Sequence, residues 1–235
     1  MIFRHSERIW ADYPGLGAGA LHAAGITPTA DVSARIAPFL DIARDRLAGG
    51  SESELPEIQA WRRTFSLMGL KPTQYRCASE ALLRRFRQEG ALPAIHPVID
   101  LCNAVSLAFA IPVAVFDTAR IAGGLEVRPA AGDESYLTFG GGTEAPEPGE
   151  VIFADAAGSA HARRWTNRQS ALSAIRPETA DVLIVAEAQH NGAAADVERL
   201  LGTVATELRE VWNTPSRRAM LSPATPDFAF SGAPD

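Results

Sequence analysis

The stretch Ala162–Ser170, with the sequence ARRWTNRQS, concentrates side chains that bind anionic groups. It holds three arginines, a tryptophan, an asparagine and a glutamine within nine residues of a chain whose net charge is −6. Guanidinium groups form paired hydrogen bonds to phosphates and carboxylates. Arg164 and Arg168, with Gln169 beside them, therefore suit a site for a phosphate or for the carbonyl of an aminoacyl group.

The same stretch also suits a structural brace. Trp165 would anchor it in the core while Arg163 and its neighbours pair with acids such as Asp117 and Asp155, which end strand-like stretches. The two interpretations differ in what the arginines contact, an external anion or the chain's own carboxylates. In both, the stretch follows the strand-like EVIFADAAG and lies near a strand end, where sites are often assembled.

A second basic stretch, KPTQYRCASEALLRRFR, begins at Lys71. Arginine forks match phosphates and aromatic rings stack on unpaired bases, so Arg76 and Tyr75 could contact a nucleic acid. The helix predicted after them carries three more arginines beside an apolar face. A solvated helix face with one core tyrosine is the alternative, and the sequence leaves both open.

The segment HPVIDLCNAVSLAFAI predicts a buried helix, because it is apolar nearly all round. Asp100, Asn103 and Ser106 nevertheless recur every three residues and form a polar stripe. A buried polar group without a partner costs about 1–3 kcal/mol, so the stripe must meet caps, loops or a wet pocket. His96, just before the helix, could cap it or line that pocket.

Composition and motif content exclude several classes of protein. With 46% hydrophobic and 21% charged residues, the chain of 235 residues is typical of a globular protein. Its negative charge argues against broad, non-specific binding of nucleic acid, and we expect no DNA partner. The sequence contains no nucleophile elbow, P-loop, zinc-protease motif or dinucleotide-binding motif. We therefore expect no metal site and no cofactor.

Cysteine usage and hydropathy bear on the compartment. Cys77 and Cys102 follow no metal or redox spacing, which favours a reduced cytoplasm. The sequence has no run of about 18 apolar residues, so we expect no membrane span. The amino-terminal residues lack the apolar core of a secretion signal. These features together predict a cytoplasmic location.

Hydrophobic periodicity predicts an α+β fold with layered, mixed β-sheets flanked by helices. Helical patterns come first, the strand-like GLEVRPA, SYLTFGG, EVIFADAAG and DVLIVAEAQ follow, and an amphipathic helix closes the chain. The first stretch, FRHSERIWADYPGLGAGALHAAGI, predicts strand, turn and strand. We expect an extension or small subdomain packed on the core over residues 1–60, a central domain over 61–190, a helix over 191–213 and a flexible tail over 214–235.

The order of these pieces resembles a known family. IDLCNAVSL, PVAVFD, IAGGLEVRPA, ADAAG and RRWTNRQS follow one another between Trp61 and Ala188. This arrangement is similar to freestanding relatives of the B3/B4 editing domain of the phenylalanyl-tRNA synthetase beta subunit. In the synthetase, that domain hydrolyses tyrosine wrongly esterified to the phenylalanine tRNA. The resemblance implies a trans-acting aminoacyl-tRNA deacylase that clears mischarged tRNA.

The resemblance also implies roles for particular residues. Asn103 matches the asparagine of the family's Asp-x-x-Asn helix, and we expect it, with His96, to orient the hydrolytic water. The ARRWTNRQS stretch would form the wall opposite the Asn103 helix. Its partners would be the amino-acid moiety and the acceptor end of an aminoacyl-tRNA. The residues expected to bind substrate are Tyr75, Arg76, Ser106, Arg164, Trp165, Arg168 and Gln169.

Two departures from the family pattern bear on activity. Ala114 stands where the synthetase domain has a histidine. In the synthetase domain, a glycine-rich segment carries the glutamate that recognises the tyrosine hydroxyl. RRWTNRQS stands in place of that segment here, and Arg168 or Gln169 falls nearest to the position of the glutamate. Tyrosine specificity is therefore not implied. The alternative function is a non-catalytic module that binds an aminoacyl-tRNA or an amino acid.

Overall fold

Two β-sheets pack face to face, and helices cover the outer face of the smaller sheet. The computed structural model describes residues 1–230. Its helices are α1 (Glu7–Asp12), α2 (Ser33–Ala48), α3 (Pro56–Leu67), α4 (Ala78–Glu89), α5 (Pro97–Phe109) and α6 (Ala193–Trp212), with short 3-10 helices at Glu52–Glu54 and Thr118–Arg120.

The strands form two main sheets and one small hairpin. They are β1 (Ile2–His5), β2 (Gly17–Ala24), β3 (Val113–Asp117), β4 (Gly124–Pro129), β5 (Tyr136–Leu137), β6 (Thr143–Glu144), β7 (Val151–Asp155), β8 (Ala160–Arg163), β9 (Arg168–Gln169), β10 (Asp181–Ala188), β11 (Ser216–Leu221) and β12 (Asp227–Ala229). The six-stranded sheet has the order β12-β1-β4-β7-β8-β9, and the four-stranded sheet has the order β11-β2-β10-β3. The β1–β4 pair is parallel and its neighbours are antiparallel, so the larger sheet is mixed.

Alternation along β10 explains the layers. Val182 and Ile184 pack with apolar residues of α5 and α6, whereas Leu183 and Val185 pack with Phe153 and other residues of the six-stranded sheet. Because side chains alternate between the two faces of a strand, β10 is buried on both faces. The result is three layers, and it confirms the predicted α+β fold of mixed sheets flanked by helices.

The first sixty residues are part of this core, so the prediction of an extension or subdomain is wrong. β2 pairs with β10 over its whole length in the interior of the four-stranded sheet. A Cβ on Gly17 or Gly19 would lie 2.6 Å from atoms of α6, so these glycines allow the close approach of helix and strand. The prediction of strand, turn and strand for this stretch omitted a helix. In the structure, α1 connects β1 to β2 and buries Ile9 and Trp10.

The predicted flexible tail is wrong over most of its length. β11 pairs with β2, and β12 pairs with β1, each at an outer edge of its sheet. Backbone hydrogen bonds at a sheet edge order a segment whose Pro-, Ser- and Ala-rich composition had indicated a loose chain. Residues 231–235 of the predicted tail lie outside the described residues.

The predicted helices are present with small differences at their ends. Cys77 is the N-cap of α4, and Gly90 ends that helix with a φ of 76°. Burial raises the pKa of the Cys77 and Cys102 thiols to about 12, so both cysteines are protonated core residues. Across residues 1–230, no helix combines the length and the apolar character needed to cross a membrane.

Glu134 fixes the connection between β4 and β5. Its side chain is 2% exposed and pairs with the Arg128 guanidinium. The carboxylate also accepts hydrogen bonds from the backbone N–H groups of Ala131 (2.9 Å) and Gly132 (3.0 Å). Burial raises the pKa of the Glu134 carboxyl, but these hydrogen bonds outweigh burial and lower it to about 2.

We expect Glu134→Gln to lower the free energy of unfolding at neutral pH by about 3 kcal/mol, from the linkage between a lowered pKa and stability. A carboxyl with a lowered folded-state pKa contributes its full stability above the unfolded-state pKa and loses it as pH falls through the folded-state value. Urea unfolding of both proteins from neutral pH to about pH 3 should show that the difference between their free energies of unfolding, the stability gap, narrows as pH falls. A gap that stays constant over that range would contradict the assignment.

Candidate functional site

The ARRWTNRQS stretch forms a β-hairpin between β8 and β9, with residues 164–167 as its turn. Arg164 and Trp165 have φ angles of 47° and 58°, a left-handed conformation that residues other than glycine rarely adopt. The Arg164 N–H donates to Glu150 Oε1 at 3.0 Å, and the Trp165 N–H donates to the Val151 carbonyl at 2.7 Å. Strained turns held in this way concentrate at functional sites.

Trp165 anchors the hairpin in the core. Its side chain is fully buried and packs edge-on against Trp61, with ring centroids 5.1 Å apart, and against Tyr13 at 4.8 Å. The indole N–H donates to Glu187 Oε1 at 2.8 Å. The hairpin therefore inserts its tryptophan between the sheets and leaves the other turn residues at the surface of a depression.

That depression, which we name the hairpin cleft, has a volume of about 60 Å³. One wall is the hairpin, and the opposite wall is the start of β3 with Pro112 before it. Ala114 is part of this second wall. The residues that line the cleft are Ala78, Pro112, Val113, Ala114, Phe153, Ala162, Trp165, Thr166, Asn167, Arg168, Gln169, Val185 and Glu187.

Glu187 provides a carboxylate at the buried end of the hairpin cleft. Its side chain is 3% exposed, and Oε1 accepts hydrogen bonds from His5 Nε2 at 2.6 Å and from the Trp165 indole. Both hydrogen bonds of the Glu187 carboxylate within residues 1–230 use Oε1, so Oε2 is free. A lined cleft with one free carboxylate oxygen can bind a cationic or hydrogen-bond-donating group.

Glu187 was not among the residues expected at the site. Its signal was an acid in the otherwise apolar strand DVLIVAEA, on the same face as Leu183 and Val185. An acid on a buried strand face requires a partner, but sequence alone does not identify that partner. His5 lies 182 residues away and meets Glu187 because the two sheets pack face to face.

Other polar groups at the cleft are held in place by the chain itself. Asn167 Nδ2 donates to the Arg76 carbonyl at 2.7 Å, and Gln169 Nε2 donates to the Val115 carbonyl at 2.7 Å. The Thr166 hydroxyl oxygen is buried without a partner in the described part of the chain. These contacts fix the two amides and leave the threonine hydroxyl as a group that a bound molecule could satisfy.

The arginines of the hairpin divide between the two interpretations. Arg163 is buried and forms a bidentate pair with Glu150 at 2.8–2.9 Å, so it is a structural brace. Its partners are Glu150 and Glu144 rather than Asp117 or Asp155, and that expectation is wrong. Arg168 lines the cleft and pairs with Glu144 at 3.0 Å, both side chains being about two-fifths exposed.

Arg164 faces a second cavity on the other side of Trp165. Its guanidinium lies over the Tyr75 ring, 4.7 Å from the centroid, and both residues line a cavity of about 590 Å³. Within residues 1–230, no carboxylate lies within ion-pairing distance of the Arg164 guanidinium. Arg76 lies next to the hairpin through its carbonyl, and its side chain approaches Glu80 at 3.6 Å.

Three of the residues expected at the site lie on or before α5, outside the hairpin cleft. His96 caps α5, with Nδ1 accepting from the Val98 N–H at 3.3 Å, and burial lowers its pKa. Ser106 Oγ donates to the Ile111 carbonyl at 2.6 Å, and Asn103 is half-buried on the helix. The expectation that the Asn103 helix forms the wall opposite ARRWTNRQS is wrong, because β3 takes that place.

A Ser–His–Asp array beside β8 is a core network rather than a nucleophilic triad. His161 Nδ1 lies 2.8 Å from Ser173 Oγ, and Nε2 lies 3.2 Å from Asp155 Oδ2. His161 and Ser173 are fully buried, so a substrate cannot reach the hydroxyl. Burial lowers the pKa of His161 more than Asp155 raises it, which favours the neutral imidazole.

Among the described residues, Glu57, His190 and Asp196 could hold a metal ion, with ligand atoms within 4.8 Å of one another. Each carboxylate is already paired: Glu57 with Arg46 at 2.7 Å, and Asp196 with His190 at 2.9 Å and with Arg199. These pairs balance the negative charge that would attract a cation. The grouping is an ion-pair network apart from the hairpin cleft.

Residues 60–219 match the family described as the B3/4 domain. A stretch of 74 residues, 32% of the chain, is 35% identical to the phenylalanine–tRNA ligase beta subunit of Cereibacter sphaeroides and covers 9% of it. A stretch of 75 residues, also 32% of the chain, is 34% identical to the same subunit of Chromobacterium violaceum and covers 10% of it. The aligned stretches thus span about a tenth of the length of these curated relatives.

One solved structure is similar over most of the chain. It is an N-terminal fragment of the phenylalanyl-tRNA synthetase beta subunit from Pyrococcus horikoshii, with a TM-score of 0.49 and 10% sequence identity. The similarity covers 92% of this chain and 50% of that fragment.

Proposed function

Because the chain belongs to the B3/4 domain family, we propose that it is a trans-acting aminoacyl-tRNA deacylase, which hydrolyses the ester between an amino acid and the terminal ribose of a tRNA. The observation that carries the proposal is the hairpin cleft, where the free oxygen of Glu187 lies below a rim of arginine and amide side chains. The names of the two curated relatives, which are ligases of phenylalanine and tRNA, support a tRNA ester as the substrate class.

The chemistry requires little of the protein. An aminoacyl ester is already activated, so its hydrolysis needs a positioned water, donors for the developing oxyanion and a pocket for the amino acid. A covalent nucleophile is not required, and the buried Ser173 does not count against the proposal. The vicinal ribose hydroxyl of the substrate can assist the proton transfer.

Glu187 and Thr166 take the two central roles. Every aminoacyl ester carries a free α-amino group that is cationic near neutral pH, and Glu187 Oε2 binds it. The Thr166 hydroxyl then lies beside the ester and orients a water molecule. A cleft of about 60 Å³ has room for a small number of waters or a short side chain, so the pocket selects small amino acids.

The rim holds the nucleotide end of the substrate. Arg168, about two-fifths exposed, exchanges its contact with Glu144 for a phosphate. Gln169, fixed by its bond to Val115, presents its free oxygen to the ribose. The Tyr75–Arg164 stack offers a surface on which an unpaired base can pack. Asn103 and His96 lie outside the cleft and have no part in this mechanism.

Deacylation of a panel of tRNAs, charged with cognate and mismatched amino acids, tests the function. We expect rapid loss of one class of ester by the wild-type protein. Thr166→Val, which keeps the shape of the side chain, should lower the rate about 100-fold, the usual range for a group that orients the reacting water. Acid-quenched samples separated on acidic gels give the rate for each tRNA.

Asn103→Ala is the matched control, because it tests the site implied by the family helix against the hairpin cleft. We expect its rate to stay within about twofold of wild type, since removal of a half-buried side chain outside a site costs little. If Asn103→Ala abolishes hydrolysis and Thr166→Val does not, the assignment of the cleft is overturned while the function stands.

The second candidate function is a module that binds an aminoacyl-tRNA without hydrolysing it. Ala114, in the wall of the cleft, favours this function because it cannot supply the imidazole that the family pattern has there. Calorimetry with a 3′-aminoacylamido-adenosine, in which an amide replaces the ester, measures binding by itself. Stoichiometric binding with intact esters across the whole tRNA panel would support the module and overturn the deacylase.

A further inference from the structure

Positive charge is concentrated in one part of this acidic protein. Residues 61–90 contain seven Lys or Arg and two Glu, a local net charge of +5, whereas the whole chain has a net charge of −6. Charge asymmetry of this size within a chain indicates a surface for an anionic partner. We name this surface the basic face; its residues are Arg62, Arg63, Lys71, Arg76, Arg84, Arg85 and Arg87.

Glu80, a buried glutamate, holds two arginines of the basic face. It is 1% exposed, bonds to Arg62 at 2.8 Å and has Arg76 at 3.6 Å. One carboxylate is thus shared by two guanidinium groups, so the cluster keeps a net positive charge. The side chains are also held in place, which reduces the entropy lost when they bind an anion.

Glu52 repeats this arrangement at the other end of α4. It is 3% exposed, bonds to Arg87 at 2.7 Å and has Arg84 at 3.8 Å. Burial raises the pKa of Glu52, but the bonds to Arg87 and neighbouring groups outweigh burial and lower it, so the carboxylate is charged at neutral pH. Glu80, Arg84 and Arg87 follow a spacing of four and three residues, which places them along one side of the helix.

Three more cations of residues 61–90 have no buried partners within the described residues. Arg63 and Lys71 are exposed, and no carboxylate within residues 1–230 lies within ion-pairing distance of either. Arg85 pairs with Glu89 at 2.9 Å, but both side chains are about half exposed. An exposed pair contributes little, so an external phosphate can replace Glu89.

The basic face adjoins the hairpin cleft. Ala78, the first residue of α4, lines the cleft, and its N–H donates to the Thr166 carbonyl at 2.8 Å. The Asn167 side chain bonds to the Arg76 carbonyl, and Arg164 stacks on Tyr75. A molecule whose end enters the cleft therefore has its body beside α4.

We propose that the basic face binds the phosphate backbone of the RNA helix whose single-stranded end enters the hairpin cleft. This inference rests on the proposed function, because it takes the cleft to receive the esterified end of a tRNA. Arginine forks match phosphate oxygens, and the Tyr75–Arg164 stack, which lines the neighbouring cavity on the other side of Trp165, suits an unpaired base. If the partner were an acidic protein, it could pair with the arginines, but it would not account for the Tyr75–Arg164 stack or the hairpin cleft.

Fluorescence anisotropy with a labelled hairpin RNA tests the surface. The RNA is an acceptor stem with a single-stranded ACCA end and no amino acid. The variant Arg63→Gln/Lys71→Gln/Arg85→Gln removes three charges and leaves the buried Glu52 and Glu80 pairs intact. We expect affinity about tenfold or more below wild type, and a slope of log affinity against log salt reduced by about two to three, as the loss of that number of phosphate contacts requires.

The chain offers a control with the same change in charge. Arg120, Arg217 and Arg218 are exposed, and β11, which holds two of them, is at the opposite edge of the four-stranded sheet from β3. We expect Arg120→Gln/Arg217→Gln/Arg218→Gln to bind within about twofold of wild type. Equal losses in the two variants, or no loss in either, would overturn the proposal, as would a polyglutamate peptide that competes as well as unlabelled RNA.

The outcome also separates this inference from the proposed function. RNA binding that depends on the basic face, with every aminoacyl ester left intact, would contradict the proposed deacylase function and support the proposed RNA-binding surface. Deacylation at equal rates by both triple variants at low and high salt would support the deacylase and overturn the surface. Circular dichroism and thermal unfolding of each variant establish that a loss of binding is not a loss of fold.

Discussion

Replacing Trp165 by alanine should lower the free energy of unfolding by about 3–5 kcal/mol, the usual cost of removing a large buried aromatic side chain. Trp165 is fully buried and contacts the rings of Trp61 and Tyr13. Its removal also takes one of two hydrogen bonds from the buried Glu187 carboxylate, and a buried charge that loses a donor costs additional free energy. Urea unfolding followed by circular dichroism measures the change.

Two further variants separate the contributions to this loss. Trp165→Phe keeps an aromatic ring but removes the indole N–H, so we expect an intermediate loss of stability. Trp212→Ala changes a tryptophan at the end of α6 that is only half-buried, where it packs against the core and bonds to Thr27, so it should cost less than Trp165→Ala. A Trp165→Ala protein as stable as Trp212→Ala would show that the hairpin is not anchored as described.

The same substitution should disturb the site. The left-handed φ angles of Arg164 and Trp165 are unfavourable by themselves and persist because the surrounding contacts hold them. Without the indole, the turn gains freedom and the position of Thr166 against the cleft is lost. Stability and site geometry therefore depend on one side chain, which explains why an arginine-rich turn carries a tryptophan.

Much of the architecture followed from local pattern. α4, α6 and β4 each bury a face that their own apolar spacing defines, whereas β7 and β10, which are buried on both faces, are nearly continuous apolar stretches in the sequence. β11 and β12 could not be recognised in this way, because an edge strand is held by backbone pairing and SRRAML shows no alternation of buried residues. α1 could not be recognised either, because its six residues are too few to show a helical period.

The polar stripe of α5 shows where the site could not be predicted. Two of its three members, Asp100 and Ser106, have hydrogen-bond partners, and these partners are local. Asp100 Oδ1 accepts from the Ile95 N–H at 2.9 Å, and Ser106 donates to the Ile111 carbonyl. Sequence spacing reveals that a buried polar group needs a partner, but it does not distinguish a neighbouring backbone group from a ligand.

The hairpin, by contrast, was recognised by its composition, whereas Glu187 was not. Trp165, Arg168 and Gln169 were expected at the site and line the cleft. Glu187 lines the cleft and is held there by hydrogen bonds from His5 of β1 and from Trp165 of the hairpin turn. Contacts between two packed sheets depend on the register of both, and no single stretch of sequence carries that information.

Replacing Glu187 by glutamine should lower kcat/KM for aminoacyl-tRNA about 100-fold, because it removes a buried charge aimed at the substrate cation. The amide keeps the shape of the side chain, and its oxygen can still accept from Trp165, so the fold should be retained. Glu207→Gln is the matched control: Glu207 is also buried and paired, with Arg35 at 2.6 Å, but it lies on α6 away from the cleft. That variant should lose stability and keep its rate.

A direct role for Glu187 differs from a structural one in its dependence on the substrate amine. Acetylation of the α-amino group removes the cation, so wild-type protein should prefer free aminoacyl-tRNA to N-acetyl-aminoacyl-tRNA by about the same 100-fold factor. In Glu187→Gln that preference should disappear, since neither substrate then meets a carboxylate. If Glu187 serves only to hold His5 and Trp165, both substrates should slow equally and the preference should survive. The ratio of the two rates in the two proteins therefore decides whether the cleft recognises the substrate through this carboxylate.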